Sequence, residues 1–91
     1  MFVWDESKNA RLLRERGVSF EEVAELLSGK RYLDILEHPT RSEQMIFIVA
    51  LKGYTYVVPF VIDPEGNFVL KTIYPSRKYH RRYGGTYETK A

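Results

Sequence analysis

The apolar positions of the chain fall into two regimes. Over the first thirty residues they are spaced as on helices, and from Tyr32 onward they gather into short runs separated by turn residues. Asp5 is placed to cap a first helix from Glu6 to Arg16, with Ala10, Leu12 and Leu13 as its apolar stripe and Gly17 as a left-handed stop. Ser19 and Glu22 form an S-x-x-E capping box, and Val18 and Val23 occupy the positions of a hydrophobic staple. Val23, Ala24, Leu26 and Leu27 make the buried face of this second helix, which Gly29 closes. Tyr32, Leu33, Ile35 and Leu36 then predict a first strand, Met45 to Leu51 a second, and Tyr54 to Ile62 a third after a Lys52-Gly53 turn. Asp63-Pro64-Glu65-Gly66-Asn67 carries turn chemistry and leads into a fourth strand from Phe68 to Tyr74. Pro59 cannot donate a ladder hydrogen bond, which implies an edge position or a bulge. Connections this short predict an antiparallel meander with both helices on one face. Ser76 is placed to cap a last short helix reaching about Tyr83, before Gly84-Gly85 and a frayed tail. The expectation is an α+β fold, with two N-terminal helices packed on a four-stranded antiparallel sheet and a short basic C-terminal helix or tail. It forms a single domain over residues 1–91, of which 84–91 are expected to be a flexible tail.

Composition narrows the picture. A chain of 91 residues has room for one domain and buries only about 60–65 % of its unfolded surface, so its core is small. The absence of cysteine removes disulfides and thiolate metal sites and fits a reducing cytoplasm. Apolar runs fall short of the roughly 20 residues of a membrane span, and the N-terminus lacks a basic segment followed by an apolar one, so a soluble cytoplasmic protein is expected. The net charge of +2 conceals an asymmetry. Residues 71–91 hold Lys71, Arg77, Lys78, Arg81, Arg82 and Lys90 against Glu88 alone, a net of +5; the remainder holds eight basic and eleven acidic groups, a net of −3. A cationic segment on an acidic body is a candidate phosphate-binding face, with a merely solvated tail as the alternative.

Candidate chemistry concentrates in the same segment. Tyr74 to Tyr83 packs four cations, one histidine and three tyrosines into ten residues. Arginine offers a planar fork for phosphate oxygens, lysine a compact charge, and tyrosine a flat face for an unstacked base. On a helix, Arg77 and Arg81 would share one face and Tyr79 and Tyr83 another. Lys78, Tyr79, Arg81, Arg82 and Tyr83 are therefore candidate RNA-binding residues; the alternative has the tyrosines packing on the sheet while the cations solubilise. Cleavage without a metal needs a base, an acid and cations for the phosphorane charge. His80 suits either proton-transfer role, with a plain surface histidine as its alternative. Glu43 is a second candidate base if Arg41 or Arg77 orients it, with an ordinary ion pair as the bland reading. His38, in Glu37-His38-Pro39, reads as a turn residue. The two separated histidines form no zinc pattern, Gly84-Gly85 lacks a nucleotide-binding context, and neither a metal nor another cofactor is expected.

Trp4-Asp5-x-x-Lys8 followed by Arg16-Gly17-Val18-Ser19-Phe20-Glu21-Glu22 resembles the N-terminal signature of BrnT-like toxins, W-D-x-x-K then H-G-V-S-F-E-E. Arg41-Ser42-Glu43 before a strand, and Ser76-Arg77-Lys78 followed by Arg81-Arg82-Tyr83, resemble the middle and end of that family. The resemblance implies a RelE-type fold and a type II toxin that is a metal-independent endoribonuclease. It also implies a small DNA-binding antitoxin, often of ribbon-helix-helix type, as partner. By the same resemblance Arg77 is the phosphate-binding arginine of the C-terminal segment, with Glu43 and Arg41 as its partners on the sheet. Three positions depart from the family: Arg16 replaces its His, Leu12 its helix Asn, and Pro75-Ser76-Arg77 its S-A-R run. Trp4 and Phe20 read as core residues.

Overall fold

The computed structural model describes the backbone of residues 1–88 and the side chains of residues 1–84. Its elements are β1 (Phe2–Val3), α1 (Glu6–Arg16), α2 (Phe20–Ser28), β2 (Asp34–Glu37), β3 (Met45–Leu51), β4 (Tyr54–Ile62), β5 (Phe68–Leu70), β6 (Tyr74–Pro75) and α3 (Arg77–Glu88).

The helix ends follow their capping chemistry. The Asp5 carboxylate accepts from the Lys8 N–H at 3.0 Å, and Gly17 leaves α1 at φ 70°, which a side chain with a Cβ adopts only with strain. Ser19 and Glu22 close the reciprocal capping box of α2, and Val18 and Val23 are both fully buried beside it. The inward face of α1, however, is Asn9 and Leu12. Ala10 and Leu13 point to solvent, Leu13 at 56 % exposure.

The sheet corrects the predicted one. It has six strands in the order β1-β5-β4-β3-β2, with β6 pairing β4 beyond β5, and it is mixed, because β1 runs parallel to β5. β3 and β4 form the expected hairpin through Lys52 and Gly53, both at positive φ (53° and 78°), as a two-residue type I′ turn requires. The single predicted fourth strand is divided. Between the pairs Val57↔Tyr74 and Phe60↔Leu70, β4 has two residues and its partner chain three, which is a bulge. Pro59 lies opposite it, in a central strand, where its carbonyl accepts from Lys71 at 2.8 Å and its missing N–H faces the irregular stretch. The expected edge-or-bulge thus resolves as a bulge.

Two apolar clusters sandwich the sheet. On one face Leu12, Val18, Phe20, Val23 and Leu27 from α1 and α2 meet Phe47, Val49, Val58, Phe60 and Ile73, with Trp4 stacked on Phe20 at 5.7 Å. On the other, Ile46, Ile48 and Val57 are covered by Tyr79 and Tyr83 of α3. β3 is buried on both faces, which explains its uninterrupted apolar run. Ser76 caps α3, its hydroxyl accepting from the Tyr79 N–H at 3.2 Å. The helix runs through Gly84 and Gly85 to Glu88, past its expected end; of the expected tail, residues 89–91 lie outside the described residues. Among the described residues no helix is long and apolar enough to cross a membrane.

Candidate nucleic-acid interface

α3 sorts its residues by face. Tyr79 is 9 % exposed and Tyr83 is half-buried, their rings 6.3 Å apart against the sheet. Both rings cover Ile46, Ile48 and Val57, the packing alternative to base stacking; Tyr79 is buried there, whereas Tyr83 stays partly exposed. The Tyr83 hydroxyl donates to Asp34 Oδ2 at 2.6 Å, tying α3 to the edge strand β2. That bond, with the Ile35 N–H, holds the Asp34 carboxyl below its ordinary value and pushes the Tyr83 phenol up. Arg77, Lys78, Arg81 and Arg82 are exposed. Lys78 lies 5.2 Å from the centre of the Tyr79 ring and Arg82 5.4 Å from that of Tyr83, so the inward tyrosines steady two of the outward cations.

His80 is built into the junction of α3 with β4. Its ring stacks on Tyr54 at 4.0 Å, Nδ1 is 3.1 Å from the buried Thr55 hydroxyl, and a Cβ at Gly84 would meet the ring at 3.1 Å. Glycine at 84 therefore makes the room in which the imidazole sits.

The other predicted residues divide. Arg41 lines an open cavity of about 400 Å³, together with Lys8, His38, Gln44, Pro59, Lys71, Thr72 and Tyr74. Glu43 lines a different one with Met45, Phe60, Val61 and Ile62. The reason is local: Gln44 N–H closes a turn on the Arg41 carbonyl at 3.0 Å, and the chain reverses between the two. His38 behaves as the turn residue expected, its Nδ1 accepting from the Thr40 and Arg41 N–H groups, both at 3.1 Å. Lys8 and Lys71 were not among the expected site residues. Lys8 stands in the quoted W-D-x-x-K run, and Lys71 reaches the cavity because the bulge opposite Pro59 re-aims the chain there. Arg16, which departs from the resembled pattern, donates to the Ile73 carbonyl at 2.5 Å and braces that stretch.

The arrangement defines a class: a small α+β domain whose sheet carries two helices on one face and a cationic helix on the other. Among solved structures, the Brucella abortus ribonuclease toxin BrnT has a similar fold, with a TM-score of 0.61, 19 % sequence identity, and coverage of 84 % of this chain and 96 % of that one. No family model and no curated protein sequence matches the chain.

Proposed function

We propose that this chain is the toxin of a type II toxin–antitoxin pair and cleaves RNA without a metal ion. One observation carries the reading: within a fold similar to that of a ribonuclease toxin, α3 packs its tyrosines inward and presents Arg77, Lys78, Arg81 and Arg82 outward. In the reaction a 2′-oxygen attacks the adjacent phosphorus and the bond to the 5′-oxygen breaks. A base takes the 2′ proton, an acid delivers one to the leaving oxygen, and a 2′,3′-cyclic phosphate and a 5′-hydroxyl remain. Arg77, with Lys78 or Arg81, stabilises the phosphorane charge. His80 shares the helix with these cations and is favoured over Glu43 as the proton carrier, since Glu43 opens onto a separate cavity. The partner in this reading is RNA as substrate and a small DNA-binding antitoxin, of ribbon-helix-helix type, as inhibitor; an RNA target places the action in the cytoplasm.

A second reading, RNA binding without cleavage, is favoured by one feature. His80 is held by the Thr55 hydroxyl and stacked on Tyr54, as a packing histidine would be. Expression of the chain alone in a bacterial host, beside Arg77→Ala, separates the two. Growth arrest with RNA ending in new 5′-hydroxyls is expected, with Arg77→Ala lowering cleavage of purified RNA by about 10²–10³-fold. Undiminished cutting by Arg77→Ala removes Arg77 from the mechanism. Intact RNA and normal growth, from folded protein, leave binding alone.

A further inference from the structure

The cavity lined by Arg41 gathers three cations and no carboxylate: Lys8 from the first turn of α1, Arg41 from the β2–β3 loop, and Lys71 from the bulge. None of the three has an ion-pair partner among the described residues, where the one salt bridge is Lys52 with Glu22 at 3.2 Å. Three like charges converging on one concavity repel each other, and the fold tolerates this at a cost that an anionic ligand would reverse. The remaining lining residues supply polar donors of the right kind, the Gln44 amide and the Thr72 and Tyr74 hydroxyls.

His38 adds a directional element. Its Nδ1 accepts from two backbone N–H groups of its own loop, so the ring proton resides on Nε2. The loop is closed further by His38 N–H to the Gln44 carbonyl at 3.2 Å. With Nδ1 engaged by its own loop, Nε2 is the nitrogen left to donate to a phosphate oxygen.

We infer that this cavity binds a phosphodiester of RNA, with Lys8, Arg41 and Lys71 neutralising its charge and His38 donating from Nε2. The inference rests on the RNA reading of the chain and locates a phosphate pocket lined from α1, the β2–β3 loop and the bulge. A volume of about 400 Å³ lies within the range of ordinary small-ligand sites, about 300–1,000 Å³, and suits one nucleotide unit entering from an open side. His38 is a binding residue here, and the scheme assigns it no proton transfer.

The test uses a short 2′-O-methyl RNA, which has no free 2′-hydroxyl and cannot be cut by the proposed route. Its affinity for the unaltered chain is compared with that for Arg41→Gln, Lys71→Gln, Lys71→Arg and the exposed α1 control Arg11→Ala. Both glutamine changes fall on exposed side chains, so melting curves should coincide. Each is expected to weaken binding about tenfold and to flatten its salt dependence, while Lys71→Arg restores binding and Arg11→Ala leaves it unchanged. Wild-type affinity in both glutamine variants, or no binding by the unaltered chain, overturns the inference. Unmodified RNA separates it from the ribonuclease reading. Cleavage that survives both substitutions sinks the pocket and leaves the enzyme, whereas lost binding in the variants with no cleavage by wild type keeps the pocket and sinks the enzyme.

Discussion

Asn9 shows how a single polar residue organises this small core. It is 7 % exposed, accepts from the Phe20 N–H at 2.7 Å and donates to Glu21 at 2.7 Å and Glu6 at 3.4 Å. The first of these bonds satisfies one of the orphan donors at the start of α2, deep beside the fully buried Phe20. Asn9→Ala leaves that N–H buried and unpaired, and should cost about 2–3 kcal/mol in urea unfolding. Asn9→Leu should cost nearly as much, because apolar volume does not replace the acceptor; a neutral Asn9→Leu would show that the bond contributes little. The Asn9 amide also holds the Glu21 carboxyl below its ordinary value, so that contribution is present above the usual carboxylate range and fades as pH falls. None of this was legible in the helix pattern, which assigned the inner face to Ala10, Leu12 and Leu13. The partner of Asn9 lies in the next helix, and periodicity within one helix does not register it.

At the scale of elements, what could be read from the chain divides along the range of the interactions. α1, α2, β3 and β4 each carry their own start and stop signals, namely Asp5 and Gly17, the Ser19–Glu22 box, and the Lys52-Gly53 turn, and they stand where those signals put them. β1 escaped notice because two residues, Phe2 and Val3, form a strand only by pairing with Phe68 and Val69 at the far end of the chain. The split of β5 from β6 depends on the bulge, for which Pro59 was the lone local sign. α3 illustrates a mixed case: its cap and cations were legible, while its tyrosines fitted both stacking on RNA and packing on the sheet, and only the assembled fold shows the packing. Its docking can be tested through Tyr83→Phe, which removes the hydroxyl from Asp34 while keeping the ring. The loss should be about 1 kcal/mol near neutral pH. Because Asp34 is held below its ordinary value when folded, the stability it supplies is full above the usual carboxylate range and is lost as pH falls through the folded value. The gap between wild type and Tyr83→Phe in urea unfolding should therefore close in acid; a gap that persists unchanged there would mean Asp34 is not the partner that matters.

For the molecule as a whole, the two faces of the sheet do different work. The face under α1 and α2 holds the larger core, in which Phe47 and Phe60 stack at 4.3 Å, and the hairpin beside it carries the Lys52–Glu22 ion pair. The face under α3 combines a smaller core with the exposed cations of that helix, so charge and fold stability are largely carried on separate surfaces. That separation makes the cationic surface open to substitution without loss of fold. Arg81→Gln combined with Arg82→Gln alters only exposed positions and should leave thermal unfolding within a degree or two of wild type. If single-stranded RNA runs along α3, both side chains face its backbone, and each contact given up removes about 0.7 from the slope of log affinity against log salt concentration. The double variant should then bind every RNA sequence more weakly at low salt, with a slope shallower by about 1.4, and the difference should shrink as salt rises. Titrations at four or five salt concentrations with two unrelated RNA sequences measure both effects at once. A slope equal to that of wild type would take the RNA path off α3, and a loss confined to one sequence would mean that these arginines read bases instead of holding the backbone.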